Sequence, residues 1–187
     1  MNDEKDVRDK SIFPLLAVSD VPSTRSRIMR TILLYQHVYG GLQFGYTQGY
    51  SGIVSDSIDA YLTAGMISYA GPLAYSGSRR YVLTPRGEGL KRLLIETSRG
   101  NVYIDGMNRI TAFTRDLSDE TLMSIEAHYY EDDIPPSLRY ITDKIAGQTR
   151  LWGMKLGDIP RDTFEKNIRD GKIFLEKECD SDDEAHA

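Results

Sequence analysis

The stretch between Tyr50 and Arg86 constrains the fold of this chain more than any other. In its first part, apolar side chains recur at the spacing of one helix face: Val54, Ile58, Tyr61 and Leu62. Gly65 follows, where glycine suits the left-handed residue that ends many helices. Two strand-like runs then flank a loop, and Thr84-Pro85 has the form of an N-cap and a first helical residue. The sequence therefore predicts a helix, a stop, a β-hairpin and a second helix in immediate succession.

The flanking signals set the expected bounds of these elements. Ser51 is a plausible N-cap for the first helix, and the strands are predicted from Met66 to Ala70 and from Arg80 to Thr84. The loop between the strands is rich in turn formers and ends in the pair Arg79-Arg80. The second helix is expected from Pro85 to about Arg99, with Leu90, Leu93 and Leu94 on its apolar face.

A third helix is predicted upstream of this stretch. Residues Ser19 to Ser23 read as a turn and a cap, and Gly40-Gly41 ends the apolar pattern that follows. That pattern is amphipathic and runs from Ile28 through Ile32 to Val38. Leu42 to Gln48 is expected to form a short helix or turn, and Ile12 to Val18 a packed strand or short helix.

Helix, hairpin and helix preceded by a further helix is the arrangement of a winged helix-turn-helix. The segments Gly49-Tyr50-Ser51, Gly65-Met66-Ile67 and Tyr81 to Gly87 resemble those of winged-helix proteins of the PadR/MarR-like kind and related uncharacterised prokaryotic proteins. Gly49 and Arg86 depart from the Pro and Lys common there. The resemblance covers roughly Pro22 to Arg99. It implies double-stranded DNA as the ligand and a homodimer formed through the helix that begins at Pro85.

The predicted fold is mainly α with a small β-hairpin: a winged helix-turn-helix followed by a C-terminal helical region. We expect an N-terminal arm at 1–21, a winged-helix domain at 22–100, a helical region at 101–175 and a disordered acidic tail at 176–187. Helices within the third segment are predicted at 102–114, from Ser118 to about Tyr129, at 138–145 and at 160–170, the last ended by Gly171.

Charge is distributed unevenly along the chain, whose formal net charge is −5. Pro22 to Gly100 holds nine basic and four acidic residues, whereas the chain from Asn101 onward holds eleven basic and nineteen acidic ones. A basic module with an acidic appendage is one way to build a DNA-binding domain into an acidic protein. Ordinary variation of charge along a chain remains the alternative.

The composition also bears on location. No apolar run approaches the ~20 residues of a membrane helix, and the acidic start Asn2-Asp3-Glu4 differs from a signal peptide. We therefore expect a cytoplasmic protein without a membrane partner. One cysteine, Cys179, leaves no intramolecular disulfide.

A winged helix places its recognition helix in the major groove and its wing on the backbone or in the minor groove. The predicted DNA contacts are Arg25, Arg27, Arg30, Tyr50, Ser51, Ser55, Tyr75, Arg79 and Arg80. Between Ser51 and Gly65, however, the chain has no Arg, Lys, Asn or Gln, the usual readers of guanine and adenine. Asp56 and Asp59 there would repel phosphate.

Catalytic signals are sparse. His37, His128 and His186 have no partner at metal-ligand spacing, and the glycines near the wing lack the Gly-Lys-Ser/Thr of a phosphate loop. We expect no enzyme, no metal site and no cofactor.

The sequence therefore favours a winged-helix DNA-binding protein, a homodimeric transcriptional regulator whose C-terminal half supplies dimerisation or a partner surface. Two alternatives stay open: a winged-helix protein-interaction module, and an antitoxin-like regulator without sequence-specific DNA reading.

Overall fold

A computed structural model of the chain describes residues 10–18, 21–40, 44, 53–71, 78–96, 98–130, 140, 143–144 and 146–172. Within these residues the protein is mainly helical with a small antiparallel sheet, as predicted. The elements in chain order are α1 (Phe13–Ala17), β1 (Ser23–Thr24), α2 (Arg25–Tyr39), α3 (Ile53–Thr63), β2 (Ile67–Tyr69), β3 (Arg80–Leu83), α4 (Pro85–Glu96), α5 (Ser98–Thr114), α6 (Asp119–Tyr130), β4 (Arg150–Leu151), β5 (Met154–Lys155), a 3₁₀ turn (Leu156–Asp158) and α7 (Arg161–Arg169).

Helix α2 forms the centre of the packing. It contacts α1, α5, α6 and α7, and it buries Ile28, Ile32 and Val38. Thr24 caps it, because its hydroxyl accepts from the Arg27 amide at 3.2 Å, and Gly40 follows at φ 67°. The cap thus lies after the predicted 19–23 segment.

A three-stranded antiparallel sheet contains the predicted hairpin. β3 lies between β1 and β2, with Ile67 opposite Leu83 and Tyr69 opposite Tyr81. The third strand, β1, was not predicted, because two residues are too few to show alternation.

The turns around the hairpin require glycine at two positions, Gly65 and Gly87. Gly65 ends α3 at φ 67°, as predicted. The Thr84 hydroxyl donates to the Gly65 carbonyl at 2.7 Å and accepts from the Gly87 amide at 3.1 Å. A Cβ at Gly87 would collide with the Met66 carbonyl. Glycine at 87 therefore lets α4 approach the α3–β2 turn closely.

Most helices of the C-terminal region match their predicted positions. α5 begins earlier than expected, yet its predicted inward face is buried: Ile104, Met107, Ile110 and Phe113. Ser118 caps α6 by accepting from the Thr121 amide at 3.0 Å, as predicted. α7 buries Phe164 and is followed by Gly171 at φ 73°.

A second hairpin, β4–β5, was not predicted. Its turn places Trp152 at φ 52° and Gly153 at φ 81°. Positive φ is costly for a large side chain. The Trp152 ring stacks 5.6 Å from Phe113, and its indole N–H donates to the Lys172 carbonyl at 3.3 Å. Tertiary packing thus stabilises a turn that the residue type disfavours.

Several predictions fall on residues outside the described ranges: most of the 42–48 and 138–145 helices, and the disorder of the tail. The domain boundary near residue 100 stays a prediction, although buried side chains on both sides of it form one hydrophobic core. None of the helices within the described ranges has the length and apolarity that a bilayer crossing demands.

Candidate nucleic-acid interface

The exposed face of α3 is small and acidic. Val54 and Ile58 point into the core, and Ser55 is buried with them. The exposed side chains with polar groups are Asp56, Asp59 and Thr63. α3 therefore presents two carboxylates and no basic or amide side chain.

Arg25, at the first turn of α2, is bound to this face. Its guanidinium donates to the Ser55 hydroxyl at 2.8 Å and forms an ion pair with Asp59. It also lies 5.9 Å from the centroid of the Tyr81 ring. Burial lowers the pKa of Arg25, but its hydrogen bond with Asp59, its interaction with Tyr81 and the charge of Asp59 together outweigh that effect and raise the pKa overall. The Arg25 charge therefore offsets that of Asp59 within the protein.

Two other predicted DNA contacts on α2 are directed to the C-terminal region. Arg27 donates to Asp119 at 2.8 Å and to the carbonyls of Thr114 and Arg115 at the end of α5. Arg30 forms an ion pair with Glu126. Both pairs have a sequence signal that the prediction missed. Arg27 and Arg30 are three residues apart, so both lie on one face of α2. Asp119 and Glu126 are seven residues apart, so both lie on one face of α6.

The described part of the β2–β3 hairpin, which is the predicted wing, is basic and exposed. The Arg79 guanidinium lies 4.4 Å from the centroid of the Tyr69 ring, which is 47% exposed. Tyr69 also packs beside Tyr81 on β3, with ring centroids 5.5 Å apart. Arg80 is exposed and lies opposite Thr24 across the β1–β3 pair.

An open cleft of about 600 Å³ adjoins Arg80. It lies between the start of α2 and the turn that joins α5 to α6. Its charged lining consists of Arg27, Arg80, Arg115, Asp116, Asp119 and Glu120. Equal numbers of basic and acidic groups give the cleft no net charge, so it does not extend the basic surface of the wing.

The nine predicted contacts thus fall into three groups. Tyr50, Ser51 and Tyr75 lie outside the described residues. Four are bound inside the protein: Arg25, Arg27, Arg30 and Ser55. Arg79 and Arg80 remain exposed on the hairpin.

The two histidines within the described ranges, His37 and His128, pack against tyrosines. His37 stacks on Tyr130 with ring centroids 4.0 Å apart, and His128 lies edge-on to Tyr129. Burial lowers the pKa of His37, the charge of Arg161 lowers it further, and Glu165 opposes both. Across the described ranges, no group of three or more His, Cys, Asp or Glu side chains could hold a metal ion.

Comparisons of the chain with protein-family models, with curated proteins and with solved structures gave no match.

Proposed function

We propose that this protein is a winged-helix DNA-binding protein that acts as a cytoplasmic transcriptional regulator. The order α2, α3, β2, β3, α4 with a third strand beside β3 supports the winged-helix assignment. The observation that carries the DNA assignment is the exposed pair Arg79-Arg80, with Arg79 held against the Tyr69 ring.

The Tyr69 ring favours this role for Arg79. A cation over an aromatic face gains roughly 0.5–1 kcal/mol at an exposed site, so the long side chain is already partly ordered. Less entropy is then lost when the guanidinium meets phosphate. Arg27 and Arg30 already have acidic partners, so the wing is the part of the predicted surface with positive charge to offer DNA.

Titration of a mixed-sequence duplex at several salt concentrations tests the proposal. Binding should weaken steeply with salt, because bound arginines release counterions from DNA. Arg79→Ala/Arg80→Ala should weaken binding to every duplex and lower the salt slope by about one for each phosphate that an arginine no longer neutralises.

A matched control exists on the second hairpin. Arg150 and Lys155 are exposed and face each other across β4–β5, so Arg150→Ala/Lys155→Ala removes the same charge elsewhere. That variant should bind DNA like the wild type. Equal loss in both double variants, or no salt-sensitive binding by the wild type, would contradict the proposal.

The acidic face of α3 favours a second candidate, a protein-interaction module that retains the winged fold. The exposed carboxylate of Asp56 would then meet a basic partner. An antitoxin-like regulator is a special case of this candidate. The protein-interaction candidate predicts that Asp56→Asn weakens binding to a basic partner. The DNA candidate predicts that the same change strengthens DNA binding, because it removes a negative charge.

We further propose a homodimer formed through α4, as the resemblance implies. Leu93 of α4 is 60% exposed, and Gly89, one turn earlier, has open space around it. Light scattering should give the mass of two chains, and Leu93→Glu should give the mass of one. A wild-type mass of one chain would contradict the dimer.

A further inference from the structure

We infer that residues 176–187, the acidic segment, bind the exposed arginines Arg79 and Arg80 of the β2–β3 hairpin in the same chain. The acidic segment then occupies the surface that the proposed function assigns to DNA, and competes with DNA for it. The contact itself does not depend on DNA. Its effect on DNA binding rests on the proposed function.

The charge of the acidic segment accounts for the whole net charge of the chain. The segment holds six acidic residues and one lysine, so the rest of the chain holds twenty-two acidic and twenty-two basic residues. Four of the six carboxylates fall within five consecutive positions: Asp180, Asp182, Asp183 and Glu184. Carboxylates that are so close repel one another, and a basic partner lowers that repulsion.

The β2–β3 hairpin offers the matching positive charge. On α2, the arginines already have acidic partners within the protein: Arg25, Arg27 and Arg30. Arg79 and Arg80 are exposed and have no acidic partner within the described ranges. A guanidinium donates two parallel hydrogen bonds to one carboxylate, so two adjacent arginines suit a row of carboxylates.

Helix α2 sets the distance between the two partners. At its C-terminal end, the Arg169 guanidinium of α7 donates to the Val38 carbonyl at 2.9 Å. At its N-terminal end, the capping residue Thr24 lies opposite Arg80 across the β1–β3 pair. α2 has 15 residues and is therefore about 22 Å long. The end of α7 and the hairpin arginines are separated by about this length.

The acidic segment is long enough to cross that distance. The described part of the chain after α7 reaches Lys172, three residues beyond Arg169. An extended chain spans at most about 3.3–3.6 Å per residue, so Asp180 can lie up to about 26–29 Å from Lys172 and Glu184 up to about 40–43 Å. Both values exceed the length of α2. The carboxylates can therefore meet Arg79 and Arg80 without displacing any described element.

A nearer basic surface lies on the β4–β5 hairpin and differs in its chemistry. Arg150 and Lys155 are exposed there, and the Trp152 indole N–H on the same hairpin donates to the Lys172 carbonyl at 3.3 Å. This surface has one guanidinium, and its lysine acts as a point charge without the paired hydrogen bonds of arginine. The β4–β5 hairpin therefore serves as the matched control surface.

The contact can be measured without DNA, because Cys179 is the one cysteine of the chain and directly precedes Asp180. A nitroxide attached to Cys179 broadens the NMR signals of amides that it approaches. At low salt it should broaden the amide signals of Tyr69 and Arg80 more than those of Arg150 and Lys155. At about 1 M salt, where the Debye length is roughly 3 Å, the signals of Tyr69 and Arg80 should recover.

Two double variants assign the contact to one hairpin. Arg79→Ala/Arg80→Ala should restore the Tyr69 amide signal at low salt, whereas Arg150→Ala/Lys155→Ala should leave it broadened. Full-strength signals of Tyr69 and Arg80 in the wild type would overturn the inference. Broadening that persists in Arg79→Ala/Arg80→Ala, or that is stronger at the β4–β5 hairpin, would overturn it as well.

Neutralising the acidic segment should strengthen DNA binding. A hairpin that is free in only about one molecule in five to ten binds a duplex about five to ten times more weakly. Asp180→Asn/Asp182→Asn/Asp183→Asn/Glu184→Gln should therefore bind a mixed-sequence duplex about five to ten times more tightly than the wild type at low salt. A control variant that loses four exposed carboxylates elsewhere should gain less than about twofold, since screening weakens distant charges. Its changes are Asp105→Asn/Asp158→Asn/Asp162→Asn/Asp170→Asn.

The outcomes separate this inference from the function on which it rests. An equal gain in both fourfold variants overturns competition by the acidic segment while DNA binding stands. No salt-sensitive binding to DNA by either the wild type or the neutralised variant overturns the proposed function, and the nitroxide measurement still decides the contact.

Discussion

At the scale of single residues, the stacked rings of His37 and Tyr130 join three helices. His37 lies in the last turn of α2 and stacks on Tyr130 of α6. The Tyr130 hydroxyl lies 3.3 Å from Glu165 of α7, and the Arg161 guanidinium lies 4.6 Å from the Tyr130 ring. A proton on His37 would add a second positive charge beside Arg161, within a half-buried stack.

The stability of the protein should therefore depend on pH through His37. Its pKa is lowered in the folded state, so the unfolded chain, with an ordinary value near 6.5, binds the proton more readily. The free energy of unfolding should fall as pH drops below about 6.5 and recover as pH rises. Thermal unfolding between about pH 7.5 and 5.5 measures this effect. His37→Phe retains an aromatic ring without a titrating group, so a slope as steep in this variant as in the wild type would contradict the assignment.

At the scale of elements, the packing of α4 against the α3–β2 turn depends on one of two neighbouring glycines. Gly87 lies in the first turn of α4 under the Met66 carbonyl, whereas no atom lies within 4 Å of a Cβ built at Gly89. The two positions share helix and residue type but differ in surroundings.

Alanine at the two positions should have opposite effects. Gly87→Ala should lower the free energy of unfolding by about 1–3 kcal/mol, because the methyl group displaces backbone. Gly89→Ala should raise it by up to about 1 kcal/mol, since alanine favours the helix. Urea denaturation of both variants measures these changes, and a Gly87→Ala variant as stable as the wild type would argue against the described packing of α4.

The elements that the sequence predicted are those with local signals. Ser118, Thr84, Gly65 and Gly171 mark helix ends by their own hydrogen bonds or conformations, and they lie where expected. Strands β1 and β4–β5 depend on partners elsewhere in the chain or on packing of Trp152, and such signals are not local. The exposed position of Arg79 and Arg80 on the β2–β3 hairpin could be predicted for the same reason. The pairing of Arg25 with Asp59, 34 residues apart, could not.

At the scale of the whole molecule, ion pairs join the basic and acidic parts of the sequence. Arg27 and Arg30 of α2 meet Asp119 and Glu126 of α6. Charge asymmetry along the chain therefore overstates the basic surface available to DNA, because part of the positive charge is neutralised within the fold. The wing keeps its charge, since Arg79 and Arg80 have no acidic partner within the described ranges.

The Arg30–Glu126 pair should contribute more to stability than a surface pair. Its side chains are only 17% and 11% exposed, so Glu126→Gln leaves a charge poorly solvated and should cost roughly 3 kcal/mol. Glu88 and Arg92 form an exposed pair at 3.7 Å, and Glu88→Gln should cost at most about 0.5 kcal/mol. Chemical denaturation compares the two. Equal costs would mean that the Arg30–Glu126 pair is solvated like a surface pair.

The strained hairpin turn also provides an optical probe. Trp152 is the one tryptophan of the chain, and its ring rests against Phe113 of α5 and near Phe164 of α7. Its fluorescence therefore reports the packing of the C-terminal helices alone, while the absorbance of tyrosines such as Tyr69 and Tyr81 includes the sheet. Coincident melting curves from the two signals would mean that the wing and the C-terminal helices unfold as one cooperative unit. Separate curves would place a thermodynamic boundary between them.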